Sequence, residues 1–448
     1  MAPSDSPITP QQTVPGEFRM SSTTLDAAPM AGRSTLGPMI IIGVLFFIFG
    51  FVTWLNGPLI IFVKLAFNLN DVYAFLVPFA FYISYLVFSL PASAVLRRTG
   101  MKKGIAIGLF VMAIGAAAFG QFATMRVYPG ALTGLFVMGA GLSMLQTASN
   151  PYISILGPIE SAAQRIAFMG ICNKVAGILA PIVISAVVLK DIGDIDAQVK
   201  AAASPEAREA LLNAFAGKVH LPYLAMAGLL VLLAIWIALS SLPEIKPSGA
   251  NAETAIGRRD GSLLSFPHLW LGVLCLFLYV GVEVMAGDAI GTYGASFHLP
   301  LDQTKFFTAF TLGAMLLGYL AGLVLIPRFI SQQRYLAVSA VLGVLFCLGA
   351  YATSGYLSVG FVAALGFANA MMWPAIFPLA INGLGRHTEA GSAWMIMGIA
   401  GGAILPQAFA HLKAHIDFQL AFVLLMVPCY LYILFYGLRG HRVGQRAG

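Results

Sequence analysis

The chain has 448 residues, of which 59% are hydrophobic and only 10% are charged. Soluble globular proteins carry about 25% charged residues, so the composition excludes a soluble fold. The formal charge of +7 does not indicate a nucleic-acid partner, because the positions of the basic residues relative to the membrane explain it. The apolar runs are long and unbroken, which predicts membrane-spanning helices of roughly 20 residues each. They lack the short alternating segments of an outer-membrane barrel.

The polar N-terminal residues 1–37 are rich in Pro, Ser and Thr and carry no signal-peptide pattern, so they are expected to be a disordered cytoplasmic tail. Twelve spans follow. They are predicted near residues 38–66, 72–96, 103–124, 130–157, 165–189, 221–242, 268–296, 304–327, 335–353, 356–384, 390–412 and 420–438.

The spans divide into two halves, because the longest connection between spans six and seven is polar. Residues 38–242 form an N-terminal six-helix half, 243–267 a cytoplasmic linker, and 268–438 a C-terminal six-helix half, with a cytoplasmic tail over 439–448. With the N-terminus inside, 16 lysines and arginines fall on the cytoplasmic side and eight outside. The positive-inside rule therefore places both termini in the cytoplasm.

The two halves repeat each other at an offset of about 225 to 231 residues. Met169-Gly170-Ile171 and Gly177-Ile178-Leu179-Ala180-Pro181 in span five correspond to Met397-Gly398-Ile399 and Gly402-Ala403-Ile404-Leu405-Pro406 in span eleven. A six-plus-six parallel repeat is the architecture of the major facilitator superfamily. The superfamily's conformational basic loop after span two is matched by Arg97, Arg98, Lys102 and Lys103. We expect an all-α polytopic membrane protein with this fold.

Three ionisable residues stand well inside the spans, where such residues are costly and indicate function. Glu283 and Asp288 lie in span seven, about 140° apart on an ideal helix, and could share a cavity only if the helix loosens near Gly287 and Gly291. They are the candidates for cation coupling, and the alternative is that either one only ties span seven to a neighbour. Lys174 in span five could pair with a carboxylate, donate to substrate hydroxyls, or extend to the cytoplasmic surface.

Neutral amides and aromatic rings recur in several spans. An amide both donates and accepts hydrogen bonds, as a sugar hydroxyl does, and an aromatic face can pack on the apolar face of a pyranose. The alternatives are interhelical hydrogen bonds for the amides and packing for the rings. Together with Lys174, the candidate sugar contacts are Asn56, Gln146, Asn150, Asn173, Asn369, Asn382, Trp54, Tyr82, Trp373 and Trp394.

Helix breakers interrupt spans one, four and ten. They comprise Asn56-Gly57-Pro58, Asn150-Pro151, Trp373-Pro374 and Pro378. Proline removes a backbone donor, and a broken backbone survives in a membrane only against protein or a wet cavity. We therefore expect Gly57, Pro58, Pro151 and Pro374 to mark gating positions beside the binding cavity, although a simple structural kink is the alternative.

The sequence resembles the glucose/galactose transporter branch of the fucose–galactose–glucose:cation symporter family over roughly residues 38–438. The likeness lies in TWLNGPLI, LQTASNPYISILGPIESAAQRI, MGICNKVAGILAP, YVGVEVMAGD and MWPAIFPLAINGLG. It implies a bacterial inner-membrane hexose symporter that works as a monomer. The family's fucose permease has an Asp in span one and a Glu in span four, where this chain has Gly57 and Gln146, so that proton mechanism does not transfer. Asn382 replaces an expected Asp, which points to a changed substrate preference.

The leading interpretation is Na⁺- or H⁺-coupled symport of a neutral hexose such as glucose or galactose by alternating access. No cofactor is expected beyond a bound Na⁺, a hard cation that prefers oxygen ligands. A facilitative uniporter, an exporter and a sugar-binding membrane sensor are the alternatives. No nucleotide-binding loop, metal cluster or catalytic triad stands out, so neither an enzyme nor an ATP-driven pump is predicted.

Overall fold

Within the residues that the structure describes, twelve helices are long and apolar enough to cross a membrane, as the sequence predicts. The computed structural model describes residues 36–155, 162–240, 242, 262–326 and 328–444. Most of the predicted N-terminal tail, most of the 243–267 linker and the last four residues therefore lie outside the described residues. The unbroken spans two to six are Leu76–Thr99, Met101–Thr124, Tyr128–Ile155, Ala162–Val187 and His220–Leu239. Spans eight, nine and twelve are Phe307–Leu325, Gln332–Ala352 and Phe418–Leu438.

The remaining spans are each built from more than one helix. Three of them contain a non-helical step of two residues, and span eleven contains a short 3₁₀ turn. Span one comprises Leu36–Thr53 and Asn56–Ala66, span seven Pro267–Gly287 and Ile290–Ser296, span ten Gly355–Asn369 and Met372–Ile381, and span eleven Thr388–Met397 and Gly401–Leu412. The predicted interruptions of spans one and ten are present. Span seven breaks after Gly287, one helical turn beyond Glu283.

The predicted interruption of span four is wrong. Its helix continues from Tyr128 to Ile155 through Asn150 and Pro151. A proline inside a helix removes one backbone hydrogen bond, which bends a helix without always ending it. The side chains of Asn150 and Pro151 lie outside the described residues.

Two further helices occupy the connection between spans five and six, which the sequence analysis left without structure. Ile192–Ala201 and Pro205–Gly217 are too short and too polar to cross a membrane. Ser204 caps the second of them by accepting a hydrogen bond from the Ala207 backbone N–H. Arg126 and Arg208 bind this connection to the ends of spans one and three through Glu209, Ala66 and Asn68.

The predicted basic loop is a tight turn between spans two and three. Gly100 alone separates the two helices and has a φ of 85°, a conformation that favours glycine. Arg97, Arg98 and Lys103 are exposed, and Arg97 donates to the Ser93 hydroxyl over 3.2 Å. Lys102 donates to the Ser240 carbonyl over 2.6 Å, which ties this turn to the end of span six.

Both ends of the described bundle lie on one face, here called the terminal face, because twelve spans alternate in direction. On the opposite face the two halves are joined by polar contacts. Lys413 pairs with Asp71 at 2.5 Å, and Lys305 donates to the Leu189 carbonyl over 3.0 Å. Burial lowers the pKa of Lys413, and the Asp71 carboxylate partly opposes that shift. These contacts close the bundle on the opposite face.

Candidate functional site

A central cavity of about 120 Å³ lies between the two halves. It is lined from the N-terminal half by spans one, two, four and five, and from the C-terminal half by spans seven, eight, ten and eleven. The lining residues of span one run from Phe46 to Trp54 and those of span five from Ile166 to Lys174. These are the parts of the two spans nearer the terminal face, so the cavity extends from the middle of the bundle toward that face.

Eight of the predicted site residues line this cavity. They are Trp54, Tyr82, Gln146, Asn173, Lys174, Glu283, Trp373 and Pro374. The Gln146 amide donates to the Tyr85 hydroxyl over 3.2 Å, and the Asn173 amide lies 3.4 Å from the Phe46 carbonyl. Both amides are only half-buried. Each therefore has hydrogen-bonding capacity directed at the cavity, since an amide offers up to four hydrogen bonds.

Lys174 and Glu283 form an ion pair between the two halves inside the cavity. Lys174 Nζ lies 2.9 Å from Glu283 Oε1, and the side chains are 7% and 12% exposed. The same ammonium lies 4.6 Å from the centre of the Trp54 ring, a distance at which a cation is attracted to an indole face. Pairing with a carboxylate, one of the two functional alternatives for Lys174, is thus what the structure contains, and extension to the surface is not.

The Trp54 and Tyr82 rings each sit against a glycine of the internal repeat. A Cβ at Gly177 would lie 2.6 Å from Trp54 Cδ1, and one at Gly402 would lie 3.0 Å from Tyr82 Cγ. Trp54 also covers the break in span seven, because a Cβ at Gly287 would lie 2.4 Å from its ring. Because these glycines have no side chains, the two rings pack close to the backbone. The rings form the end of the cavity that is nearer the opposite face.

Asp288 does not share the cavity with Glu283, which corrects the expectation that both carboxylates could face it. The helix of span seven ends at Gly287. Asp288 is the first residue beyond it, and its carboxyl group lies against Gly57 of span one. Asp288 is 1% exposed and is absent from the cavity lining. Its Oδ2 lies 3.5 Å from the Tyr82 hydroxyl, and its Oδ1 has no hydrogen-bond partner among the described residues.

The break in span one lies directly against Asp288. A Cβ at Gly57 would lie 3.3 Å from Asp288 Oδ1. The Asn56 amide donates to the Thr53 carbonyl over 3.1 Å, the carbonyl that an unbroken helix would pair with the Gly57 N–H. Asn56 is fully buried outside the cavity lining, and its Oδ1 has no partner within the described part of the chain. Pro58 follows as the third residue of the second helix.

Besides Asn56, three further predicted sugar contacts lie away from the cavity. Asn369 is fully buried at the break of span ten, where its Oδ1 accepts from the Tyr430 hydroxyl over 2.8 Å. Asn382 is exposed after the last helix of span ten. Trp394 packs edge-on against Trp270 with ring centroids 5.0 Å apart. These residues belong to spans ten and eleven, which do line the cavity. Asn369 and Trp394 lie on other faces of their helices, and Asn382 lies beyond the end of its helix.

The sequence analysis missed three cavity tyrosines, Tyr85, Tyr279 and Tyr319. Tyr279 lies one helical turn before Glu283, so the i, i+4 spacing could have placed it on the same face. Tyr85 follows Tyr82 by three residues and could have been found in the same way. Tyr319 is packed against Gly170 of span five, where a Cβ would lie 2.5 Å from its ring. That contact between the halves has no signal in the local sequence.

Comparisons with known proteins agree on one superfamily. The family model described as Major Facilitator Superfamily matches residues 42–406. The glucose/galactose transporter of Brucella abortus (strain 9-941) is 35% identical over 402 residues, which cover 89% of this chain and 92% of that protein. The L-fucose-proton symporter of Escherichia coli (strain K12) is 30% identical over 382 residues, which cover 83% of this chain and 86% of that protein.

Solved structures give the same result for the fold. The crystal structure of the transporter FucP in the outward conformation superposes with a TM-score of 0.71 at 25% identity, over 93% of this chain and 100% of that one. The inward-facing, unoccupied structure of a bacterial homologue of the human lysosomal transporter Spinster has a TM-score of 0.60 at 14% identity, over 92% of this chain and 98% of that one.

Proposed function

Because the chain belongs to the major facilitator superfamily, in the glucose/galactose transporter branch of the fucose–galactose–glucose:cation symporter family, we propose that it takes up a neutral hexose by cation-coupled symport. Glucose and galactose are the proposed substrates. The protein is a multi-pass protein of a bacterial inner membrane, with both termini proposed to be cytoplasmic. On that orientation, the cavity faces the cytoplasm.

The observation that carries the proposal is the chemistry of the central cavity. Amides from spans four and five, Gln146 and Asn173, face it together with the rings of Trp54 and Trp373. Its two ionised side chains, Lys174 and Glu283, pair with each other, so the cavity offers no unbalanced charge to an anion or a cation. Such a lining favours a neutral polyol whose hydroxyls both donate and accept.

Alternating access follows from the position of the cavity between two halves. The ion pair and the sugar would connect the halves at the middle of the bundle, while the contacts of Asp71 and Lys305 hold the opposite face closed. Rocking of one half against the other would break those outer contacts and open the cavity to the other side. A buried carboxylate, Glu283 or Asp288, supplies the coupling to Na⁺ or H⁺.

Radiolabelled sugar exchange in proteoliposomes tests this proposal without any ion gradient. Liposomes loaded with unlabelled glucose or galactose should accumulate external labelled sugar transiently by counterflow. Gln146→Ala and Asn173→Ala should reduce the rate by about fivefold each, since a lost hydrogen bond to a substrate hydroxyl costs about 1 kcal/mol. Gln121→Ala, which removes an exposed amide of span three, should not change it.

The alternatives give different results in the same assay. A facilitative uniporter would show counterflow but no accumulation under either a Na⁺ or a pH gradient. A sugar-binding sensor would bind labelled sugar in detergent solution and show no counterflow. Absence of both binding and counterflow for glucose, galactose and fucose would overturn the hexose proposal.

A further inference from the structure

The buried site around Asp288 is chemically distinct from the sugar cavity. Asp288 and Asn56 are each at most 1% exposed and neither lines the cavity. Asp288 belongs to none of the ion pairs among the described residues. A buried carboxylate outside any ion pair is stabilised in its charged form only by nearby donors and dipoles, here the Tyr82 hydroxyl 3.5 Å from Oδ2 and the Gly57 backbone. A bound proton would remove the need for a counter-charge.

Two buried side-chain oxygen atoms beside the breaks have no hydrogen bond of good geometry. Within the described part of the chain, Asp288 Oδ1 and Asn56 Oδ1 both lack a partner, and they belong to groups on facing breaks of spans one and seven. A neutral carboxylic acid would donate one hydrogen bond and a carboxylate none. One proton on Asp288 would therefore turn one of its two carboxylate oxygens from an acceptor into a donor.

Three backbone carbonyl oxygens at the two breaks accept hydrogen bonds from side chains. Thr308 Oγ1 donates to the Gly287 carbonyl and Thr311 Oγ1 to the Ala286 carbonyl, each over 2.8 Å. The Asn56 amide occupies the Thr53 carbonyl over 3.1 Å. In transporters with discontinuous helices, such freed carbonyls coordinate Na⁺. Here three of them already accept a side-chain hydrogen bond, which competes with coordination of a cation.

The start of the second helix of span one favours a negative charge at the same point. The Gly57 backbone faces Asp288, and a helix N-terminus stabilises an anion and disfavours a cation. Asp288 can thus hold either its proton or its charge, which a reversible proton carrier requires, whereas a Na⁺ ion would sit against the positive end of the helix.

We propose that Asp288 is the proton-binding residue of the symporter and that Trp54 and Tyr82 separate this site from the sugar cavity. The inference rests on the proposed function and specifies its coupling ion. A proton from water on the opposite face forms the O–H bond at Asp288, and the same proton returns to water on the terminal face. Sugar and proton then occupy separate compartments within one bundle.

The groups that act on Asp288 come from five spans. Spans one and eight contribute uncharged neighbours, and spans two, five and seven contribute ionisable ones. The uncharged neighbours are Asn56, Gly57, Thr308 and Thr311, and the ionisable ones are Tyr82, Lys174 and Glu283. Because Lys174 and Glu283 neutralise each other, loss of the Asp288 charge is the dominant local change on proton binding.

The test compares wild type, Asp288→Asn and a control in proteoliposomes. We expect wild-type accumulation of labelled galactose or glucose under an inward pH gradient, abolished by a protonophore and independent of Na⁺. Asp288→Asn mimics the protonated group, so it should keep counterflow within about threefold of the wild-type rate and lose accumulation entirely. Asp196→Asn makes the same chemical change in an exposed pair with Lys200 and should retain both.

A direct proton measurement completes the test. Adding sugar to the wild-type protein in weakly buffered detergent solution should change the pH of that solution. Asp288→Asn should abolish the change. Accumulation driven by Na⁺ alone and lost in Asp288→Asn would assign Na⁺ to the site and overturn the proposal. Retained pH-driven accumulation in Asp288→Asn would also overturn it. A wild type without counterflow would instead refute the transport function on which the inference rests.

Discussion

Lys174 Nζ lies 2.9 Å from Glu283 Oε1, and this contact joins span five of the N-terminal half to span seven of the C-terminal half inside the central cavity. Removing one member of a buried ion pair leaves the other unpaired, at a cost of about 3–5 kcal/mol. Lys174→Gln and Glu283→Gln should therefore each lower the thermal unfolding midpoint in detergent. The double variant should regain much of that loss but remain defective in counterflow, because both groups border the sugar. A double variant no more stable than the single ones would argue against the pairing.

Gly50 of span one lies directly against the backbone of span five. A Cβ at Gly50 would lie only 2.0 Å from the carbonyl oxygen of Asn173, and small residues at such contacts let membrane helices approach. Gly50→Ala should push span five outward, cost about 1–3 kcal/mol of stability through overpacking, and weaken sugar binding at Asn173. Gly228→Ala is the matched control, since nothing lies within 4 Å of a Cβ there. Isothermal titration with sugar and thermal unfolding would measure both effects, and equal behaviour of the two variants would refute the tight contact.

Asp71 joins the two halves on the opposite face by pairing with Lys413 of the C-terminal half and Lys64 of its own half. Asp71→Asn should weaken this closure and shift the population toward conformations open on that face. Spin labels at positions 206 and 354, in a background without the four native cysteines, would report the separation of the halves as a distance distribution. Longer distances are expected in Asp71→Asn. Asp196→Asn, on the same face but paired within one half, should leave the distribution unchanged, and an unchanged distribution in both would contradict the role of Asp71.

Asp288 and Gly57 approach so closely that a carboxylate could reach the same space from either half. A Cβ at Gly57 would lie 3.3 Å from Asp288 Oδ1 but 2.5 Å from Thr308 Oγ1. Gly57→Asp combined with Asp288→Gly should therefore restore part of the pH-driven accumulation lost in Asp288→Gly alone, and Thr308→Ala should increase the rescue by making room. Gly57→Asn with Asp288→Gly is the control, because it has the same size without a titrating group. Equal accumulation by the Asp and Asn combinations would disprove the spatial equivalence.

Local sequence was sufficient to predict the twelve spans and three of their features. Apolar run length set the spans, Asn56-Gly57-Pro58 and Trp373-Pro374 indicated the breaks in spans one and ten, and the glycines around Asp288 indicated the one in span seven. Pro151 was misleading, because one missing N–H does not determine whether a helix ends. The loop helices after span five were missed since their pattern is polar and short.

The membership of the cavity was only partly predictable, because it depends on which helix faces meet across the two halves. Intramembrane polarity identified Gln146, Asn173, Lys174 and Glu283, all of which line it. The same criterion also selected Asn369, which is buried against Tyr430 of span twelve. The local sequence does not distinguish an amide that lines the cavity from one that bonds to another helix. Long-range packing decides which of the two partners the amide meets.

The juxtaposition of Gly57 and Asp288 has a consequence for tracing ancestry within such duplicated folds. When two helices from different halves meet at one point, selection acts on the occupant of that point and not on the residue number that supplies it. Descendants could exchange the donor helix while preserving the chemistry, and columns of aligned sequences would then record a loss at one position and an unrelated gain more than 200 residues away. Mapping such paired changes onto three-dimensional neighbours would reveal inheritance that column-by-column comparison conceals.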